Sequence, residues 1–163
     1  MNKTPSASTQ ALTRGAIIAA LYTVLTLLLA PISYGQLQIR ISEALTLLPV
    51  LLPEAVPALA VGCLISNILG GATVLDVVFG TLATLAAAIL TRLFAKKLYL
   101  AAMMPVLMNG LVVGFVVHIA YSPAVPLWLC MLSVAAGEAV SCFILGPIVL
   151  KAIDRIPQKL LHN

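Results

Sequence analysis

Residues 98–121 read LYLAAMMPVLMNGLVVGFVVHIAY, an apolar run without a single Asp, Glu, Lys or Arg. Crossing a bilayer core of about 30 Å takes about 20 helical residues, so this stretch alone is long enough to span. The rest of the chain matches it. Of 163 residues, 62% are apolar and 9% charged, where a soluble domain carries about 25% charged residues. Mean hydropathy is +1.14. So few charges cannot solvate a globule of 17.1 kDa, which excludes a soluble enzyme. The net charge of +4 reflects a shortage of acids, and the nine Lys and Arg form no broad basic face. A nucleic-acid binder is therefore excluded too. The composition predicts an all-α integral membrane protein.

Working outward from that run, the pattern predicts six spans. The first covers about Gly15 to Ile32, the second Ile41 to Leu52 and the third Ala55 to Leu69. The fourth covers Val74 to Thr91, the fifth Leu98 to Tyr121 and the sixth Val125 to Leu150. Spans two and three are short for a bilayer, so they must tilt, borrow flanking residues or stop at a cavity. Gly70-Gly71 breaks the chain after span three, and Pro53 with Pro57 brackets the turn before it. The expected organisation is a polar, frayed tail over residues 1–13, a transmembrane bundle over 14–150 and a second tail over 151–163. With the N-terminus inside, Lys3, Arg14, Arg92, Lys96, Lys97, Lys151, Arg155 and Lys159 all face the cytoplasm, and only Arg40 faces out. That asymmetry predicts an N-in, C-in topology in the cytoplasmic membrane.

Polar residues inside apolar spans carry the functional information, because an ionised side chain at mid-bilayer costs about 2.5–3.5 kcal/mol on insertion scales. Glu43, Asn67, Asp76 and His118 fall at the outer ends of spans two to five. Asn109 and Glu138 fall near the midplane, and Gln36, Gln38 and Arg40 lie in the first outer loop. This convergence predicts a pocket open to the outside and closed beneath. A structural role competes for each residue. Glu43 can pair with Arg40 across one turn, Asp76 can cap span four, and the asparagines can bond neighbouring helices. His118 can be solvated, Glu54 reads as a solvated loop acid, and Trp128 and Tyr121 suit an aromatic belt. The lone carboxylate of Glu138 is hardest to explain structurally. Cys63, Cys130 and Cys142 have no metal-ligand spacing and read as small buried hydrophobes.

Span one holds a second feature. Gly15, Ala19 and Thr23 recur every fourth residue with Ala16 and Ala20 beside them, a smooth strip against which another helix can pack. The chain has no GxxxxGK[ST] phosphate loop, so it cannot hydrolyse ATP itself. A pocket, no motor and a smooth helix face together suggest a subunit that borrows its energy.

Two stretches are specific enough to suggest a family: residues 34–45, YGQLQIRISEAL, and residues 67–80, NILGGATVLDVVFG. They resemble the QueT family, substrate-binding (S) components of energy-coupling factor (ECF) transporters assigned to queuosine precursors. The likeness covers spans one to six, and Ala16 with Ala20 is similar to the AxxxA motif of S components. The resemblance implies a six-helix S component that captures a 7-deazaguanine from outside. It would dock through Ala16 and Ala20 on a transmembrane coupling subunit (EcfT) carrying two cytosolic ATPases, with no cofactor. Under that implication Glu138 accepts the N1–H and exocyclic amine of the base, and Asn67 or Asn109 reads the carbonyl edge. Glu43 or Asp76 faces a ligand cation, Gln36, Gln38 and Arg40 form a lid, and Trp128 or Tyr121 stacks on the ring. An S component for another vitamin or base and an ion-coupled transporter remain alternatives. An intramembrane enzyme finds no HExxH or GxSxG motif to support it.

Overall fold

The structure, a computed structural model, describes residues 7–30 and 40–155. They form six helical segments. Helix α1 is Ala7–Leu28, followed by a 3₁₀ helix Ile41–Val50 and α2, Ala55–Leu69. Helix α3 is Asp76–Leu93, which opens with a π turn over Asp76–Gly80. Helix α4 is Leu98–Ala120, and α5 is Leu127–Asp154 with a second π turn over Val140–Leu145. Four of these, α1, α3, α4 and α5, are long and apolar enough to cross a membrane.

Helix α1 begins inside the stretch expected to fray. Its threonines do not break it, because Thr13, Thr23 and Thr26 each donate back to the carbonyl four residues earlier, at 2.8–2.9 Å. At the other end α5 runs past Leu150, its last turn carrying Lys151, a charge that suits the negative end of a helix dipole. Helix α2 has the predicted bounds and ends in a Schellman motif. Gly71 sits at φ 69°, Ala72 N–H donates to Asn67 O at 2.9 Å, and Gly71 N–H donates to Ile68 O at 3.3 Å.

The second predicted span is the largest departure. It is a 3₁₀ helix whose residues Ser42 to Pro49 are all buried, and it packs against all five other helices. At about 2.0 Å per residue it reaches about 20 Å, where an α-helix of equal length reaches about 15 Å. Arg92 closes its C-terminal end, donating at 3.0 Å to the carbonyls of Pro49 and of Val50. A similar repair joins α3 to α4. Pro105 has no amide for the Ala101 carbonyl, and Thr91 Oγ1 donates to that carbonyl at 3.2 Å.

Lipid tails are as apolar as leucine, so helices here associate by close packing and polar bonds rather than by hydrophobic burial. Two glycines mark helix contacts that reach the neighbouring backbone. A Cβ on Gly62 would lie 2.9 Å from Ala19 O and from Tyr22 Cβ, and one on Gly114 would lie 2.6 Å from Met131 Cα. Gly62→Ala and Gly114→Ala should each destabilise the protein by about 1–3 kcal/mol through overpacking. Thermal unfolding in detergent measures this, and an unchanged midpoint for either variant would contradict the contact.

Candidate ligand-binding site

The site is built at the entrance to the 3₁₀ helix. Arg40 is extended, at φ −95° and ψ 99°, and its carbonyl accepts both Glu43 N–H at 3.0 Å and Ser141 Oγ at 2.8 Å. This ties the segment to α5 and places Glu43 in the first helical turn, fully buried. Tyr22 on α1, also fully buried, donates its hydroxyl to Glu43 Oε1. From α4 and α5, Asn109 Nδ2 donates to Glu138 Oε1 at 2.9 Å, and Cys142 Sγ lies 3.8 Å from Glu138 Oε2. Glu43 and Glu138 are close enough to interact electrostatically.

A second group adjoins the first through Arg40. Its guanidinium donates to Asn67 Oδ1 at 2.5 Å, and Asn67 Nδ2 donates to the Asp76 carbonyl at 3.1 Å. Because the Asn67 carbonyl serves the Schellman cap and its side chain serves Arg40 and Asp76, every polar group of this residue has work inside the bundle. Tyr121, at the end of α4, donates to Asp76 Oδ2 at 2.8 Å and accepts Thr73 N–H at 3.1 Å.

Glu43, Asn67 and Asp76 have no exposed surface, Asn109 has 1%, and Arg40 and Glu138 have 4% each. Within this closed cluster stand three carboxyl groups and one guanidinium. Glu43 Oε2, Asp76 Oδ1 and Asn109 Oδ1 accept no hydrogen bond among the described residues. All three atoms are acceptors. Three open acceptor atoms, in a cluster with three carboxyl groups to one guanidinium, suit a ligand that offers N–H groups.

The structure thus gathers Arg40, Glu43, Asn67, Asp76, Asn109, Tyr121 and Glu138 around one centre. Gln36 and Gln38 lie outside the described residues. His118 does not join the cluster: its Nδ1 lies 2.9 Å from Val125 O and pins the loop before α5. Trp128 is 63% exposed and lies outside the cluster, a place that suits an interfacial belt residue. Glu54 is no solvated loop acid, since it forms an ion pair with Arg14 at 2.5 Å. Tyr22 was missed. A lone tyrosine hydroxyl inside an apolar span was the available signal, because it must find a partner there. Cys63 and Cys142 also differ from the bland expectation. Cys63 Sγ accepts from Asn67 and Thr84 at 3.5 and 3.4 Å, while Cys130 sits in an apolar cluster with Val113 and Val134.

The expected docking strip divides in two. Ala19 is buried against α2, where Thr23 Oγ1 donates to Gly62 O at 3.2 Å, so this edge serves the protein's own packing. Gly15, Ala16 and Ala19 nevertheless line one wall of an open groove of about 440 Å³, with Pro57, Ala58 and Val61 opposite and Glu54 at its end. Ala20 is exposed on α1 but does not line the groove.

Arg40→Met removes the cation from among three carboxyl groups and should destabilise the ligand-free protein by about 3–5 kcal/mol. Thermal unfolding measures it; a midpoint equal to that of the wild type would show that Arg40 does not offset the acids.

The model of the QueT transporter family matches residues 12–155. One curated relative, the queuosine precursor transporter QueT of Lactococcus lactis subsp. cremoris (strain MG1363), is 44% identical over 72 residues, which are 43% of this chain. That match spans only 42% of the relative's length. No solved structure matches the chain. With four helices able to span and a family match over most of its length, the protein is a multi-pass membrane protein. It belongs to the QueT transporter family.

Proposed function

We propose that the chain is the S component of an ATP-driven ECF importer and captures a 7-deazaguanine precursor of queuosine from outside the cell. In this reading all six helical segments cross or enter the membrane, with both termini inside. The chain itself performs no chemistry. It docks on a transmembrane coupling subunit, and two cytosolic ATPases supply the energy.

The observation that carries the reading is the buried polar cluster, with three unbonded acceptor oxygens on three different elements. A 7-deazaguanine presents what those atoms lack: an N1–H and an exocyclic amine along one edge, and a pyrrole N–H on another. Glu138, Asn109 and Glu43 form the unit that reads the donor edge. Glu138 holds the Asn109 amide through Nδ2, which leaves Asn109 Oδ1, like Glu43 Oε2, open to a donor from the ligand. Tyr22 fixes the other Glu43 oxygen, and Arg40 keeps the acids from repelling one another. The relative's printed name, a queuosine precursor transporter, supports the same ligand class. The groove between α1 and α2 supports the partner. Its small side chains, Gly15, Ala16 and Ala19, allow a helix of the coupling subunit to approach the backbone closely.

Binding to the purified chain in detergent, without ATP, tests this directly. One of 7-aminomethyl-7-deazaguanine, queuine or queuosine should bind tightly, and guanine and thiamine weakly. Glu138→Gln and Glu43→Gln should each weaken that binding by ~100-fold, as expected for a buried charge-assisted pair. Unchanged affinity in Glu138→Gln would remove that residue from the edge-reading unit. In liposomes, uptake should require the coupling subunit and both ATPases; uptake by the chain alone would replace the S-component reading with an ion-coupled transporter.

A further inference from the structure

Glu43 and Glu138 meet in a place with little to keep both ionised. Arg40 is the one guanidinium of the cluster, and it acts on Glu43 and Asp76 as well as on Glu138. One positive charge neutralises one acid. Within hydrogen-bonding range Glu138 has an amide and a thiol: Asn109 Nδ2 donates to Oε1 at 2.9 Å, and Cys142 Sγ lies 3.8 Å from Oε2. Glu43 acts on it as a like charge, and the Asn109 amide interacts with both carboxyl groups. From the other elements α1 brings the Tyr22 hydroxyl, α2 brings Cys63 and α3 brings Asp76, so Arg40 is the single cation around the pair among the described residues. Two carboxylates that share a dry site repel, and one proton held between them relieves the repulsion. The open atoms fit the same account. Glu43 Oε2 and Asn109 Oδ1 are buried acceptors without a donor among the described residues, and a carboxyl proton is a donor.

We propose that the Glu43–Glu138 pair holds one proton in the ligand-free protein and releases it when a deazaguanine binds. The proposal rests on the deazaguanine reading and adds proton release to ligand capture. A protonated carboxyl presents an O–H, which would meet the N–H donors of the base hydrogen to hydrogen, whereas an ionised one accepts through both oxygens. The N1–H and exocyclic amine therefore take the place of the proton. Their hydrogen bonds form, one carboxyl O–H bond breaks, the electron pair stays on the carboxylate and the proton leaves to solvent. Asn109 keeps its bond to Glu138 throughout and holds the pair at a fixed spacing in both states. Because the ligand-bound form carries one proton fewer, affinity rises with pH.

The probe is 7-aminomethyl-7-deazaguanine, whose alkylammonium keeps its own proton between about pH 6 and 8, so any proton exchanged there comes from the protein. Calorimetric titration of the purified full chain in two buffers of different ionisation heat counts that exchange. About one proton should be released per ligand bound, and Kd should tighten by up to ~10-fold per pH unit. Glu138→Gln and Glu43→Gln each leave one acid of the pair, and each should cut the release below about 0.3 proton and flatten the pH dependence. A second readout needs no variant: infrared difference spectra of the wild type should show the ligand removing the carbonyl band of a protonated carboxyl. Binding that exchanges no proton and leaves that band unchanged overturns the inference, with the deazaguanine reading still standing. Proton release undiminished in both variants overturns the assignment to this pair. Failure of the probe to bind folded protein overturns the deazaguanine reading, and this inference with it. Should the variants unfold or bind too weakly to titrate, the wild-type proton count and spectrum still decide the matter.

Discussion

A buried carboxylate inside an apolar bundle is the constraint on which the rest of the structure depends. Glu43 has no exposed surface, and in a membrane no water is at hand to solvate it. The protein must supply its surroundings from every side. Tyr22 comes from α1, Arg40 from the approach to the 3₁₀ helix, and Glu138 from α5 with Asn109 of α4 holding it. Asn67 of α2 and Asp76 of α3 enter through Arg40. Helices that gain little by leaving lipid for one another are thus given a reason to adopt one arrangement.

The unusual helix geometries follow from the same demand. An α-helix over Ile41–Val50 would be shorter and would present one face to a partner, while the narrower 3₁₀ form threads the centre of the bundle with every face covered. Its poorer hydrogen-bond geometry is offset where it is weakest, at the C-terminal carbonyls that Arg92 takes up. The two π turns stand next to groups of the buried polar cluster, one beginning at Asp76 and the other just after Glu138 with Ser141 and Cys142 inside it. Each widens its helix by one residue where side chains must reach the cluster from a fixed axis. Local irregularity and polar content coincide at both places.

Unbroken apolar runs made the helices legible. The bounds of α2 and the start of α4 follow directly from Gly70-Gly71 and from Lys96-Lys97. The polar residues inside those runs were equally visible, and most of them meet. What a sequence cannot carry is rotation about a helix axis: nothing in the spacing tells that Asn109 faces Glu138, or that Trp128 turns outward. Nor do 3₁₀ and π segments leave a compositional trace, since they differ from α only in which carbonyl each amide chooses. Tyr22 and Glu54 escaped for another reason. Each looks ordinary for its place, a tyrosine in a span and an acid in a turn, until its partner, Glu43 or Arg14, comes from a distant part of the chain.

Helix α1 serves two surfaces at once, and their separation is small. Ala19 forms part of the groove wall, and Tyr22, less than one turn further on, holds Glu43 in the polar cluster. Gly62 touches both, because a methyl group there would strike Ala19 O and Tyr22 Cβ at the same 2.9 Å. Interiors packed to this density do not deform smoothly. Displacing α1 against α2 to widen or narrow the groove therefore loads the same turn of α1 that carries Tyr22 to Glu43. The face that suits a partner helix and the carboxylate that suits a ligand are held in register by one glycine contact, and neither can be altered without loading the other.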